Sequence, residues 1–293
     1  MRIAVFTKNW LNPAYEGARL GADRAASEAG ATTLHYVPEK PDDAEQQSAL
    51  IADALAGRPD AFVLVPAQPT EVNAAIRSIN TSGIPLFVFV NRLTDGECVS
   101  FVGADDYRLA ENVARYAYEK LAGKGKVALL EGPADSVTNQ PRVAAFRDAA
   151  ANYPGIEIVG SFQGLFLQDP AKEETARLLP QFVDLDAILA ANDSMALGAI
   201  DALAEAGRSA LVAGINGIPE AIGAIKQGRL AVTADFNAMN MAFIATECAL
   251  RHLRGEAVPE EIMLPAEVIH RENCEAWDKP FSERTPPDWH AVT

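Results

Sequence analysis

The chain has 293 residues, 49% hydrophobic and 22% charged, enough apolar material for two ordinary domains and the wrong balance for a disordered chain. Its net charge of −15 argues against nucleic acid or any other polyanion as partner, since phosphates need clustered Lys and Arg, and suits a soluble, self-repelling monomer. No apolar run approaches the roughly 20 residues of a membrane helix.

The chain opens directly on a strand, Ile3 to Phe6. No signal peptide precedes it in this numbering, so the expectation is either a cytoplasmic protein or a mature form whose leader has been removed. Asn12 is placed to cap a helix opened by Pro13 and ended by Gly30. Strands are predicted at 32–37, 61–65, 85–90 and 98–102, with helices at 42–55 and from a Thr70 cap to Gly83 between them. A helix over 106–121 follows, and near residue 125 the pattern restarts: strands at 126–130, 156–159, 187–191, 210–215 and 230–234, with helices at 139–153, 170–182, 193–206 and 219–226. A long helix spans 237–253, and one more strand, 268–270, precedes an irregular, Pro-rich tail. Strict alternation of strand and helix implies α/β architecture with parallel sheets, and the restart half way along implies two doubly wound, Rossmann-like lobes.

The stretch Ile188–Ile200 is the most informative. An apolar strand stops at Asn192-Asp193 and turns directly into a run of strong helix formers, with Asp193 as the expected N-cap. Asn192 then stands at the carboxyl end of a strand, where open α/β sheets hold their ligands. Other strands end in the same way. Lys8, Trp10, Asn12 and Tyr15 follow the first, Asn91 and Arg92 the fourth, and Asn139, Arg142, Phe166, Asn216 and Asp235 stand after strands of the second half. Amides, a carboxylate and arginine forks bridge neighbouring hydroxyls, and Trp, Tyr and Phe offer flat apolar faces. That combination suits a sugar. Polar βα loops also occur for capping alone, and the pattern by itself leaves that role open.

Enzyme signatures are missing. Gly123-Lys124-Gly125-Lys126 lacks Walker A spacing, no GxGxxG follows the first strand, and there is no GxSxG. Cys98, Cys248 and Cys274 form no CxxC, and His35, His252, His270 and His290 are scattered, so no metal and no cofactor are expected. Sequence leaves open whether Cys248 and Cys274 pair.

Asn12-Pro13-x-Tyr15, Val90-Asn91-Arg92, Phe101-Val102-Gly103-x-Asp105, Ala191-Asn192-Asp193-x-Met195-Ala196-Leu197-Gly198-Ala199 and Ala213-Gly214-Ile215-Asn216-Gly217 together resemble the type I periplasmic binding proteins. These are ribose-like solute receptors of sugar ABC transporters, related to repressor effector domains. The resemblance covers nearly the whole chain. It implies a ligand held in the cleft between two lobes joined by a three-crossover hinge, 1–103 plus 237–264 and 104–236 plus 265–293, closing on a monosaccharide, polyol or sugar acid. It also implies a periplasmic location and a membrane permease as partner. Asn12 and Tyr15 fall on the family's first-loop positions, Asn91 and Arg92 on its Asp-Arg pair, Arg142 on the arginine of the fifth helix, Phe166 on a stacking aromatic, and Asn192 on the amide after the strand. Asn216 stands where the family usually has Asp, and Asp235 where it has Gln or Asp. Asn at 91 and 216 removes two carboxylates, Ala14 replaces an aromatic, and Lys8 and Trp10 are additions. The ligand is therefore expected to differ from ribose, and Lys8, Arg92 and Arg142 against Asp235 would tolerate a carboxylate on it.

Three rivals are set against this reading. A repressor effector domain would need a helix-turn-helix before the first strand. An enzyme would need a constellation that is not seen. A receptor feeding a sensor kinase is not distinguished by sequence from one feeding a transporter.

Overall fold

The computed structural model describes residues 1–265 and 267–293. In chain order the elements are β1 (Arg2–Phe6), α1 (Pro13–Glu28), β2 (Thr32–Tyr36), α2 (Ala44–Gly57), β3 (Ala61–Leu64), α3 (Asn73–Ser82), β4 (Leu86–Phe89), β5 (Ser100–Gly103) and α4 (Asp106–Lys120). They continue as β6 (Lys124–Glu131), α5 (Asn139–Ala150), β7 (Gly155–Gln163), α6 (Gln168–Leu178), β8 (Ala187–Ala190), α7 (Asp193–Glu205), β9 (Leu211–Ala213), α8 (Pro219–Lys226), β10 (Val232–Ala234), α9 (Ala238–Leu253), β11 (Glu261–Met263), β12 (Val268–His270) and α10 (Trp289–Val292).

Two compact α/β units result. One comprises Met1–Ala104, Asn237–Pro265 and Phe281–Thr293; the other Asp105–Phe236 and Ala266–Pro280. The first holds a six-stranded sheet in the order β11-β5-β4-β3-β1-β2, with every pairing parallel. The second repeats the plan as β12-β10-β9-β8-β6-β7, parallel except for an antiparallel edge strand, β12. In both sheets the strand order reverses beside the unit's first strand, β1 or β6, and open α/β sheets bind ligands at the carboxyl end of such a switch point. β1, β3 and β4 are almost wholly buried because helices cover both faces, which is why they read as unbroken apolar runs. The first unit's core gathers Phe6, Phe62, Leu64, Ile51, Ile76 and Ile79.

Glycine sets one critical spacing. A Cβ on Gly21 of α1 would lie 2.1 Å from the Met239 carbonyl oxygen, so α1 and α9 approach backbone to backbone. This contact seats α9 on the first unit.

Several boundaries differ from the sequence expectation. Asn192, not Asp193, caps α7, its Oδ1 accepting from Met195 N at 2.9 Å. Asp193 is instead fully buried, its Oδ1 accepting from Thr233 Oγ1 at 2.6 Å and its Oδ2 from Ile218 N at 3.1 Å. It thus ties the chain following β8 to the chain following β9 and to β10 itself. Thr70 does not cap α3; its hydroxyl bonds Glu71 at 3.0 Å, and the helix starts without a side-chain cap after Val72. Asp43 caps α2, while Asp42 adopts a left-handed conformation just before it. β11 escapes the apolar pattern because Glu261 and Met263 flank a single buried Ile262 at the sheet edge.

The tail also departs from expectation. Phe281–Thr293, expected with the second lobe, lies with the first, so the chain passes between units after 104, 236, 265 and 280 rather than three times. Its anchors are local. The Phe281 ring packs on Gly17, Arg24 Nη1 donates to Arg284 O at 3.0 Å, and the Arg251 guanidinium lies 4.2 Å over Trp289. All three cysteines are free thiols.

Two glycine substitutions should have opposite signs. Gly21→Ala forces α1 from the Met239 carbonyl and should cost about 1–3 kcal/mol. Gly223→Ala in α8, where the new methyl would meet nothing within 4 Å beyond its chain neighbours and the helix's own backbone, should gain up to about 1 kcal/mol from helix propensity. Urea melts of both variants check this.

Burial holds the Asp193 pKa up at about 6, only partly offset by its hydrogen bonds to Thr233 and the backbone. The folded chain therefore keeps this proton to higher pH than the unfolded chain. The group's contribution to stability is full at the acid end and is lost as pH rises from about 4 through 6, by on the order of 2–3 kcal/mol. Asp193→Asn should flatten that fall, measured as the variant-minus-wild-type difference between urea melts at pH 4.5 and pH 7.

Candidate functional site

In the first unit the polar residues after β1 form a network around an aspartate that sequence reading missed. Asn12 caps α1, its Oδ1 accepting from Ala14 N at 3.0 Å, while its own N–H donates to Asn9 Oδ1 at 2.8 Å. Asn9 Nδ2 donates to Asp42 Oδ1 at 3.0 Å, and Asp42 Oδ2 stands 3.5 Å from Lys8 Nζ. Lys8, Asn9 and Asn12 are all buried. Asp42 reaches them from the loop after β2; the signal for it was the acidic pair Asp42-Asp43 ahead of a helix. Tyr15 is half-buried in the first turn of α1. Trp10 is 57% exposed and stands 4.3 Å over the buried guanidinium of Arg19, whose Nη1 donates to Thr7 Oγ1 at 3.0 Å. The indole is thus a supported, outward-facing wall.

After β4, Val90 is left-handed with φ of 66°, and Asn91 N donates back to Phe89 O at 2.8 Å, a γ-turn. A β-branched residue there is strained. The turn buries Asn91, whose Nδ2 donates to Pro66 O at 3.0 Å and whose Oδ1 meets no donor among the described residues. An unfilled buried acceptor costs about 1–3 kcal/mol, which a hydroxyl donor would recover. Arg92 is not brought into this group. It is exposed, pairs with Glu261 of β11 and lies 4.1 Å over Phe101.

In the second unit Arg142 is the organiser. It is 3% exposed; Nε donates to Asp106 Oδ1 at 2.7 Å, and Nη1 donates to Ala191 O at 2.7 Å and to Asn216 Oδ1 at 3.4 Å. The Phe236 ring lies 4.6 Å from the guanidinium carbon. Among the described residues Nη2 meets no acceptor. Asp106 was also missed by sequence reading, although it follows the Phe101-Val102-Gly103 strand end by three residues. Burial raises its pKa, and Arg142 opposes the rise.

Asn192 gives its Oδ1 to the α7 cap and one amide hydrogen to Phe166 O at 2.9 Å, keeping a second hydrogen. Phe166 follows Leu165 in a left-handed pair, and its ring lies against Gly132, where a Cβ would come within 2.3 Å. Asn139 serves the frame: its Oδ1 accepts from Gly132 N at 2.7 Å. Asn216 has φ of 144° and bonds through its N–H to Ala234 O at 2.9 Å. Asp235 Oδ2 accepts from Trp277 Nε1 at 2.8 Å. Arg142, Phe166, Asn192, Asn216 and Asp235 thus collect where β7, β8, β9 and β10 end.

Charge is paired throughout: Lys8 faces Asp42, Arg92 faces Glu261 and Arg142 faces Asp106, each within its own unit. Such an arrangement offers directional donors and acceptors with little net charge. No group of three or more His, Cys, Asp or Glu among the described residues could hold a metal ion. No helix among them is long and apolar enough to cross a membrane.

Comparison with known proteins bears on the family and the fold. The D-ribose/D-allose-binding protein of Pseudomonas aeruginosa is 29% identical over 78% of this chain and 75% of its own length. A periplasmic solute-binding protein of an ABC transporter from Actinobacillus succinogenes, solved with bound D-allose, is 29% identical with a TM-score of 0.89, covering 94% of this chain and 99% of that one. An ABC transporter solute-binding protein from Bacillus halodurans, solved with bound myo-inositol, is 26% identical with a TM-score of 0.86, covering 94% of this chain and 96% of that one. The family model described as a periplasmic binding protein domain matches residues 3–257, and the chain belongs to that family.

Proposed function

We propose that this protein is the solute receptor of an ABC importer, capturing a neutral monosaccharide or cyclic polyol by hinge closure of its two units and delivering it to a membrane permease. It acts as a monomer in the periplasm and carries out no chemistry on its ligand. The observation that carries the reading is the Arg142 cluster. A buried, charge-compensated guanidinium holds Asn216 and the end of β8 in register and keeps Nη2 for a further acceptor. The relatives that bind ribose, allose or inositol support a polyhydroxylated ligand.

Charge pairing favours a neutral ligand over the sugar acid that the sequence left open. Each of the three cations that would greet a carboxylate already has one in its own unit. Asn91 and Asn216 bring amides, which both donate and accept and so match hydroxyls without requiring ligand charge. Lys8, Asn12 and Asn91 would hold hydroxyls from the first unit; Arg142, Asn192 and Asp235 would do so from the second. Trp10, Tyr15 and Phe166 would cover the C–H faces.

A thermal-shift screen against D-ribose, D-allose, myo-inositol and the acids D-gluconate and D-galacturonate tests this. A neutral binder at a hundredfold excess over its Kd should add about 2.7 kcal/mol of stability. A preference for the acids would reverse the charge argument, and no shift with any solute would set the receptor reading aside. In the same assay Arg142→Ala should weaken binding of the best solute by about 2–5 kcal/mol, as loss of a buried charged hydrogen bond does. Unchanged affinity would remove Arg142 from the site.

A further inference from the structure

After β12 the chain stays with the second unit for one tight excursion. Asn273 folds it back: Nδ2 donates to Val268 O at 2.9 Å, and Oδ1 accepts from His270 N at 2.8 Å. A 3-10 turn over Cys274–Trp277 follows, with Cys274 buried. Lys226, at the end of α8, pairs with Asp278 on the far side of the turn. These anchors fix where Trp277 stands, and its Nε1 donates to Asp235 Oδ2 at 2.8 Å. Asp235 is itself buried at the end of β10.

The chemistry of this pair is one-directional. An indole N–H donates and accepts nothing, so it takes up one carboxylate oxygen without competing for the hydroxyl donors of a solute. A hydrogen bond to an ionised carboxylate is short and strong, and it fixes the plane of the carboxylate as well as its charge. The backbone of Asp235 is held separately, its N–H donating to Glu267 O at 2.7 Å, so the Trp277 hydrogen bond acts on the side chain and not on the strand end. Residue 277 lies beyond the span that the family model matches, 3–257, while Asp235 lies within it.

We propose that Trp277 is a positioning residue for ligand recognition, holding the Asp235 carboxylate in its binding orientation, and that the turn after β12 is a working part of the site. The inference rests on the solute-receptor reading above and on Asp235 meeting the solute.

The test is a double-mutant cycle on the full chain, with affinities measured calorimetrically for D-ribose, D-allose and myo-inositol. Trp277→Phe keeps the ring and deletes the donor. It should weaken binding of the preferred solute about tenfold or more, the scale of a hydrogen bond to a charged group. Asp235→Asn should weaken it at least as much, and adding Trp277→Phe to it should cost little more, because the donor has lost its charged target. Trp277→His, which restores an N–H, should recover part of the loss. Thermal melts of the unliganded variants separate this from damage to the fold: loss of one hydrogen bond to a buried carboxylate should lower the melting temperature of Trp277→Phe by several degrees while leaving it fully folded at the temperature of the binding assay. Wild-type affinity in Trp277→Phe, or losses that simply multiply in the double variant, would overturn the inference and leave the receptor reading standing. Absence of binding of all three solutes to the wild type would overturn that reading, and the inference with it.

Discussion

A buried arginine must have a counterion, and this one need shapes the second unit. Arg142 is almost wholly enclosed and Asp106 supplies its negative charge. Removing either partner of such a pair leaves an uncompensated buried charge, typically at a cost of 3–5 kcal/mol. The geometry is therefore fixed far more tightly than a surface pair would be. Asp106 starts α4 and Arg142 sits in the first turn of α5, so the two helix starts are locked together. Through Nη1 the same guanidinium holds Ala191 O and Asn216, the ends of two adjacent strands. Asp193 adds a second buried tie, from the start of α7 to Thr233 and Ile218. The candidate site is thus an extension of the frame, with polar groups already oriented.

Backbone strain collects in the same places. Val90, Leu165, Phe166, Asn216 and Asn237 all have positive φ, and each lies in the segment that follows a strand. Elsewhere the positive-φ residues Arg58 and Ala122 simply end helices. Left-handed Val and Phe cost free energy that a plain turn would avoid by using Gly. What the strain achieves is local: the Val90 turn buries Asn91, and the Phe166 turn sets its ring on Gly132 and its carbonyl on Asn192. Gly132 and Gly214 are bare because Phe166 and the Asp193 carboxylate occupy the space a side chain would need.

How much of this could be read beforehand follows from the range of each signal. The two sheets were legible because buried parallel strands are continuous apolar runs, a local property. The positions after strands were legible because strand ends are. The partners were not. Asp42, Asp106 and Asp193 are acids near helix starts, and acids are favoured there for capping alone. Nothing local distinguishes Asp193, buried under Thr233, from Asn192, which does the capping. Arg92 illustrates the converse error. Its place beside Asn91 is legible, but its direction is set by Glu261 on a three-residue edge strand too short to show in any periodicity. The tail failed for a related reason. Phe281 needs a glycine surface on α1 to pack against, and that surface lies more than 260 residues away in sequence.

The charge arrangement then explains how a chain of net −15 can present cations at its strand ends without becoming an anion trap. Pairing each cation within its own unit cancels the long-range potential, which falls away within a Debye length of about 8–10 Å. It does not cancel the hydrogen-bonding directions, because a guanidinium has five donors and a carboxylate takes up only one or two. Arg142 shows this directly: Asp106 neutralises it through Nε while Nη1 serves Ala191 and Asn216, and Nη2 meets no acceptor among the described residues. A site built this way discriminates by the placement of hydroxyls rather than by ligand charge. That is the form of selectivity a receptor for neutral polyols requires, since those ligands differ in stereochemistry and carry no charge to read.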